Sequence, residues 1–563
     1  MKNPQWHPSD MIALNLSVKQ AIAEYGDTSI ASVTAELQQL LDKGFAQALP
    51  SAKITADILK TAIPLKMFVK AKLAADGSLI KIKSRYVARG DRQKRDLYIG
   101  EDLSATTADC LSVYTVIAIA ASERRHVMAA DIGGAYLNAS MSDDSPPVHI
   151  VIEPRIAEMI SGMDPTFAEA RLPNGTIIAK LKKCLYGCIE SAKRWQEHVT
   201  GTLSDLGFVA NPHDTCILNK TCEDGKQLTV VLYVDDLLVT CVHPERIREL
   251  LAQLRKKYNE VTAVEGPVVE YLGQRIDFTV PGTASITMDG MTERIIADSG
   301  TQLLNKVTRS PAGEDLFVAP VDSALLSEKD RQHFHTIVAR LLYMAKRVRC
   351  DILLAVAYLT TIVSRPTQSD RDKLDRLIRY LHQSYHAGHR GIKITPGPAG
   401  IQPFGYFDAA YGVHADGKSH TGACLTIGEA GPVSTDSTRQ SIVTKSSTEA
   451  ELVGMSDSMN QLIHLRRLLI AQGHDIGPAT VYQDNQSSMA LLAKGRSTSK
   501  RSRHIEIRYF WAKERCDMGD IIVVHRGTAL MGPANILTKP VHAAQFEEER
   551  RQLTNWAAYT IQP

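Results

Sequence analysis

At 563 residues, 44% hydrophobic and 23% charged, the chain is too long for one core and does not have the composition of a disordered protein, so three or more compact units are expected. A formal net charge of +3 excludes a global field as a source of affinity for polyanions; any such affinity has to come from local basic faces. The nine cysteines lack zinc-site spacing, and their closest pairs, Cys184/Cys188 and Cys216/Cys222, read as free thiols in a reducing compartment.

The N-terminus, MKNPQWHPSDM, has no apolar signal core, and no later segment approaches the ~20 apolar residues of a membrane span, so a soluble intracellular protein without membrane partners is expected. Residues 1–60 carry short helical patterns without identifiable chemistry and read as an extension. Next, KMFVKAKL and SLIKIKSRYVA are strand-like runs joined through Ala75-Asp76-Gly77, a hairpin signal. On the second run Lys81, Lys83 and Arg85 recur at period two, which puts them on one face of a basic ribbon, with Arg89 just beyond.

From 100 to 280 strands and helices alternate, and PERIRELLAQLRKKY has amphipathic helical spacing. Residues 281–330 are turn-rich and read as a connecting region, followed by two helical runs, FHTIVARLLYMAKRV and DRDKLDRLIRYLHQSYH. From 401 the pattern restarts with three short strands, a long helix near 448–472, a strand at ATVYQD, further helices, a strand at IIVVHR and a last helix. Two separate mixed units joined by a helical spacer are the economical reading.

Chemistry concentrates first in TVVLYVDDLLVT, residues 229–240, where apolar runs flank Asp235 and Asp236. Bare carboxylates in a core are costly, and neighbouring like charges resist joint ionisation unless a divalent cation sits between them. Mg²⁺ suits such a site, since it takes oxygen ligands from a few carboxylates plus substrate phosphates. A third acid, Asp131, ends an apolar strand in HVMAADIGGAYLNA. A second set follows the same logic: Asp408 in FGYFDAAYG, Asp484 in VYQDNQSS, and Glu451 in SSTEAELVGM, where Ser446 and Glu449 form a capping box that leaves Glu451 facing inward.

Tyr233-Val234-Asp235-Asp236 resembles the YxDD box of reverse transcriptases. The ordered blocks SRYVARGDRQ (84–93), ADIGGAYLNA (130–139), KLKKCLYG (180–187), LYVDDLLVT (232–240) and YLGQRI (271–276) resemble copia-type retrotransposon polymerases, and YQDNQS with ILTKP resembles their C-terminal ribonuclease H domain. The resemblance implies an α/β and α+β multidomain fold: fingers and palm (61–280), a largely helical thumb or connection (281–400), a ribonuclease H-like domain (401–545) and a tail (546–563).

It further implies an RNA- and DNA-templated DNA polymerase, adding dNTPs to a DNA primer by two-metal catalysis with Mg²⁺ (or Mn²⁺) on Asp131, Asp235 and Asp236. Tyr136 would lie under the incoming sugar, Tyr186 and Gly187 would line the nucleotide pocket, and Lys81, Lys83, Arg85 and Arg89 would meet the triphosphate. Asp408, Glu451 and Asp484 would hold two more ions and cut RNA in RNA/DNA hybrids. Lys500, Arg501, Arg503, His504 and Arg508 would border the hybrid. Cytoplasmic virus-like particles, with a homodimer or other element proteins as partners, fit the same picture, as does a piece of a longer polyprotein.

This chain departs from the family at two places. Cys188-Ile189-Glu190-Ser191-Ala192-Lys193 replaces Leu-Lys-Gln-Ala-Pro-Arg, and Asn535 stands where the family has a fourth acid, so weaker metal affinity and slower cutting are expected there. Those departures motivate the alternative of a retired element that binds nucleic acid without turnover. Asp298-Ser299-Gly300 resembles the aspartic protease triplet, but its surroundings have helical spacing and exclude that role.

Overall fold

The computed structural model describes residues 12–73, 79–98, 103–141, 146–303, 306–318, 320, 322–398, 400–494, 503–559 and 561. The palm is a six-stranded antiparallel sheet in the order Val261–Glu265, His126–Ile132, Asp236–Cys241, Gln227–Tyr233, Asp214–Thr221, Val209–Asn211. Helices Ser191–Asp205 and Pro244–Tyr258 bury their apolar stripes, Trp195, Val199 and Leu203 on one and Ile247, Leu250 and Leu254 on the other, in the palm's core. The opposite face is covered by Cys110–Ser122, apolar almost all round and buried accordingly.

The fingers carry the predicted hairpin, Ile63–Leu73 paired with Leu79–Ala88; its Ala75-Asp76-Gly77 turn lies outside the described residues. Lys81, Lys83 and Arg85 share the open face while Ile82, Ser84 and Tyr86 are buried, as period two requires. The N-terminal segment, expected as an extension, is instead built into this unit. Ile12–Leu16 adds a strand beside Ile63–Leu73, Ala46–Ala48 pairs with Ile177–Leu181, and helix Val18–Asp42 packs Val33, Leu37 and Leu40 into the fingers core. Its polar face also reaches the palm: Gln39 Nε2 donates to Glu260 Oε2 at 2.8 Å and Lys43 Nζ to Asn138 Oδ1 at 2.8 Å.

Beyond the palm, Val268–Tyr271, Gln274–Asp277, Ala284–Thr287 and Gly391–Ile394 form a second antiparallel sheet, against which helices Asp289–Asp298, Glu328–Ala345, Leu353–Thr360 and Gln368–His386 pack. Residues 281–400 are largely helical, as expected, and their two short strands, Ala284–Thr287 and Gly391–Ile394, complete the sheet begun by Val268–Tyr271 and Gln274–Asp277. The protease-like triplet ends one of its helices, and Asp298 pairs with Arg340 at 2.6 Å.

The last unit has the sheet order Pro432–Arg439, His420–Ile427, Pro403–Ala410, Ala479–Gln483, Ile521–His525; the first three strands are antiparallel and the last two parallel to the third. Helix Ser447–Ala471 crosses it. One continuous apolar core runs from Cys110–Ser122 through the connection into this sheet, so the units are fused, not beads on a spacer. Residues 546–559, expected as a tail, complete the fusion. Phe546 packs edge-on against Tyr380, the Tyr559 hydroxyl lies 3.1 Å from that of Tyr380, and Trp556 Nε1 donates to the Gly388 carbonyl at 2.8 Å.

Two candidate carboxylate centres

The first centre lies at the edge of the palm sheet. Asp236 sits directly across from Asp131 in register, and the Ile132 amide donates to the carbonyl of Asp235 at 3.1 Å, so two distant segments are locked with three acids side by side. Tyr233 and Asp236 close a two-residue hairpin whose first central residue, Val234, has φ +58°. A β-branched residue there is strained by about 1–3 kcal/mol. The strained turn is held from outside: buried Trp195 donates its indole N–H to the Val234 carbonyl at 2.7 Å. Nothing in the sequence marks Trp195 for this role.

The carboxylates are not sealed in the core, as their apolar flanks implied. Asp131 is exposed in the cleft and Asp235 and Asp236 are half-buried, because the acids fall where the strands end. Burial, then Asp235 and Asp131, pushes Asp236 up to about 6. Burial and Asp235 raise Asp131, while Lys83 and Arg85 of the fingers pull it down. The fingers ribbon thus faces the acids across the cleft.

Between them, Tyr136 and Tyr186 pack edge-on with ring centroids 4.6 Å apart, and the Arg85 guanidinium covers the Tyr186 ring at 4.4 Å. Gly187 lets backbones touch: its φ is +90°, a Cβ there would lie 2.1 Å from the Ala88 carbonyl oxygen, and the Ala88 amide donates to the Tyr186 carbonyl at 2.7 Å. The altered loop after it has a structural purpose. Fully buried Glu190 accepts from Gln93 Nε2 at 2.8 Å and the Tyr98 hydroxyl at 2.9 Å, latching the loop to the fingers.

Arg89 does not join the pocket. The ribbon ends at Ala88, the chain turns at Gly90, and Arg89 forms a bidentate pair with Asp91 at 2.7 and 2.8 Å. Lys81 is exposed on the shared face.

The second centre is tighter. Asp408 on strand Pro403–Ala410, Glu451 on helix Ser447–Ala471 and Asp484 just after Ala479–Gln483 offer oxygens that all lie within 4.8 Å of one another. Among the described residues no other three acids, histidines or cysteines meet so closely, the palm aspartates included. The Ser446 side chain caps its helix through the Glu449 amide, and Glu449 Oε2 accepts from the Lys445 amide, leaving Glu451 to turn inward as expected. Burial raises Asp408 and Glu451, and the other two acids raise Glu451 further.

Neutral donors orient the acids: Thr538 Oγ1 to Asp408 at 2.9 Å, Gln483 Nε2 to Glu451 at 3.3 Å and Thr528 Oγ1 to Asp484 at 2.9 Å. Three all-oxygen donors that burden one another with like charge fit a hard divalent cation. Asn535 is buried and turned to Glu549, its Nδ2 donating to Oε1 at 2.6 Å, so it is not an open ligand.

Of the basic run, Lys500 and Arg501 lie outside the described residues. Arg503 and His504 begin helix Arg503–Asp517, their side chains outside the description. Arg508 is paired with Asp457 at 3.1 Å.

Two predictions arise here. Trp195→Phe keeps most of the packing but releases the Val234 carbonyl, so a stability loss of ~1–2 kcal/mol is expected. Adding Val234→Gly, which tolerates positive φ, should recover much of it; denaturant unfolding reads both. The second concerns pH. Because folding raises the pKa of Asp236 from 3.8 to about 6, the folded state holds its proton more tightly, and this group's contribution to stability is fully present below pH 4 and lost as pH rises through 6. Asp236→Asn is therefore expected to raise metal-free stability at pH 7.5 by about 1 kcal/mol after solvent screening, and to flatten that window; melting curves in EDTA from pH 4 to 8 check it.

The reverse transcriptase (RNA-dependent DNA polymerase) family matches residues 56–309. The chain is 25% identical over 496 residues to the retrovirus-related Pol polyprotein from transposon TNT 1-94 of Nicotiana tabacum, covering 87% of this chain and 35% of that protein. It is 27% identical over 493 residues to that from transposon RE1 of Arabidopsis thaliana, covering 86% and 31%. It thus spans about a third of the length of these two relatives. A foamy viral protease-reverse transcriptase in complex with RNA/DNA hybrid overlays with a TM-score of 0.47 at 12% identity, covering 89% of this chain and 54% of that one. Among the described residues no helix is long and apolar enough to cross a membrane. Residues 56–309 match the reverse transcriptase family, in a chain similar over most of its length to retrovirus-related Pol polyproteins of plant transposons.

Proposed function

We propose that the chain copies RNA and DNA templates into DNA at the palm centre and cuts RNA in RNA/DNA hybrids at the second. The observation that carries the first activity is the cross-strand register of Asp131 and Asp236 beside Asp235, under the fingers cations. Asp131 and Asp235 would hold divalent cations, with Asp236 beside them. Ions bound there lower the pKa of a primer 3′-hydroxyl and offset charge developing on the α-phosphate.

The chain's own residues do the rest. Lys83 and Arg85 face the acids where dNTP phosphates would lie, and the Arg85–Tyr186 stack limits the guanidinium's freedom. Tyr136, braced by Tyr186, would form the floor under the sugar. Trp195 keeps the turn that carries Asp235 from relaxing.

At the second centre Asp408, Glu451 and Asp484 would hold cations that activate water toward an RNA phosphodiester. Hybrid shape and 2′-hydroxyls would set its selectivity. Mg²⁺ fits both donor sets, and Mn²⁺ prefers the same oxygen ligands.

The test is incorporation of dNTPs onto a labelled DNA primer annealed to an RNA template, run beside cutting of a labelled hybrid, in Mg²⁺ and in EDTA. Both activities are expected in Mg²⁺ and neither in EDTA. Salt-sensitive binding of both substrates without turnover of either would overturn the reading in favour of a nucleic-acid-binding protein.

A further inference from the structure

We infer that Glu549 of the C-terminal helix supplies the negative charge that position 535 lacks, so that Asn535 and Glu549 are a charge-swapped pair serving the second centre as positioning residues. The inference rests on the reading of Asp408, Glu451 and Asp484 as a cation-dependent nuclease centre.

Asn535 ends the short helix Gly532–Asn535 and is 3% exposed; Glu549, on helix Ala543–Thr554, is 5% exposed. Glu549 Oε1 accepts two hydrogen bonds, from Asn535 Nδ2 at 2.6 Å and Gln545 Nε2 at 2.8 Å. Glu549 Oε2 is buried with no partner among the described residues. A buried carboxylate with a bare oxygen is costly, and an apolar side chain in its place would incur no such cost. Burial raises the pKa of Glu549, the Gln545 and Asn535 donors oppose it, and the charged groups that bear on it are Lys539, which favours the ionised form, and Asp408 of the second centre, which disfavours it.

Thr538 stands between the pair and the second centre, its single hydroxyl proton within reach of an acceptor on each side. Thr538 Oγ1 donates to Asp408 Oδ2 at 2.9 Å and lies 2.8 Å from the Asn535 carbonyl oxygen. Position 535 thus joins Glu549 on one side to a proposed ligand on the other. Its amide identity follows from the same geometry. An aspartate at 535 would put two carboxylate oxygens at the 2.6 Å now spanned by a hydrogen bond, with no donor between them, and the two could not both ionise. An acid at 535 and an acid at 549 exclude each other, and this chain carries the second. The expectation that Asn535 leaves the centre one charge short is thereby reversed.

The experiment is a charge-swap cycle in the full chain: parent, Asn535→Asp, Glu549→Gln, and both together. Three readouts are taken: melting temperature in EDTA at pH 7.5, Mn²⁺ affinity by calorimetry without nucleic acid, and the Mg²⁺ concentration that half-saturates hybrid cutting. Asn535→Asp alone should lower the melting temperature and slow cutting. Glu549→Gln should weaken Mn²⁺ affinity and raise the Mg²⁺ requirement about tenfold. In the double variant the hydrogen bond is reversed, the amide now at position 549 donating to the carboxylate at position 535. It should recover most of the parent's stability and come within about threefold of its metal affinity, because the charge is restored and Gln545, by flipping its amide, can accept the second N–H of the new amide.

Faster cutting by Asn535→Asp, or a double variant no better than the sum of its parents, would overturn the inference; so would Glu549→Gln leaving Mn²⁺ affinity unchanged, the result of a merely structural role. Asp408→Asn in parallel separates the two readings. If it cuts as well as the parent, the nuclease reading fails while melting and calorimetry still judge the pair.

Discussion

Asp235→Asn is expected to reduce primer extension on poly(rA) by about a thousandfold or more, which corresponds to ~4 kcal/mol of transition-state stabilisation, while the protein folds as before. The substitution conserves shape and removes one charge. The contact that fixes this residue is made by its backbone carbonyl, which accepts from the Ile132 amide at 3.1 Å, so the hairpin keeps its position. Removing one of three crowded acids also relieves Asp236, whose pKa is raised in part by Asp235. Metal-free stability should therefore stay level or rise while activity disappears, a combination that misfolding cannot produce. Hybrid cutting, at a centre on a different sheet, should persist. A variant that extends primers at the parent's rate would refute the palm assignment outright.

The elements that carry chemistry were legible in the sequence because their signals are local. The period-two ribbon, the aspartates between apolar strands, and the Ser446 cap ahead of Glu451 each depend on residues a few positions apart and are present in the structure, although Glu449 Oε2 accepts from the Lys445 amide, one residue before the cap, where a full capping box was expected. What the sequence hid depends on distant pairing. Gly391–Ile394 completes a sheet with Ala284–Thr287 from far along the chain, a pairing that neither short run announces by itself. Ile12–Leu16 and Ala46–Ala48 are too short to announce themselves and become strands only because partners offer free edges.

Charged residues misled in the same way. Arg89 continues the basic pattern by number but follows the last ribbon residue, and the turn at Gly90 sends it to Asp91. Glu190, part of the run that departs from the family, is a buried latch. In each case the partner, not the residue type, fixes the role, and partners are the one thing a single sequence does not state.

Asp408→Asn is expected to abolish hybrid cutting, by about a thousandfold or more, and to leave primer extension within about twofold of the parent, the mirror image of the palm variant. Asp408 is 7% exposed and shares its space with Glu451, 6% exposed, and Asp484. Neutralising it removes one of the three charges that would hold cations, yet the replacement amide can still accept from Thr538 Oγ1, which now bonds Oδ2 at 2.9 Å. Burial and neighbouring acids raise Glu451 well above the usual carboxylate range, so part of the charge repulsion is already relieved by protonation when no cation is present. The variant should consequently gain metal-free stability and lose most of the melting-temperature increase that the parent shows on adding Mg²⁺ at pH 7.5. That increase should shrink in the parent too as pH falls toward 5, because protons then compete for the same oxygens. Persistent cutting in Asp408→Asn, or a Mg²⁺-dependent rise equal to the parent's, would mean that the three acids meet for structural reasons alone.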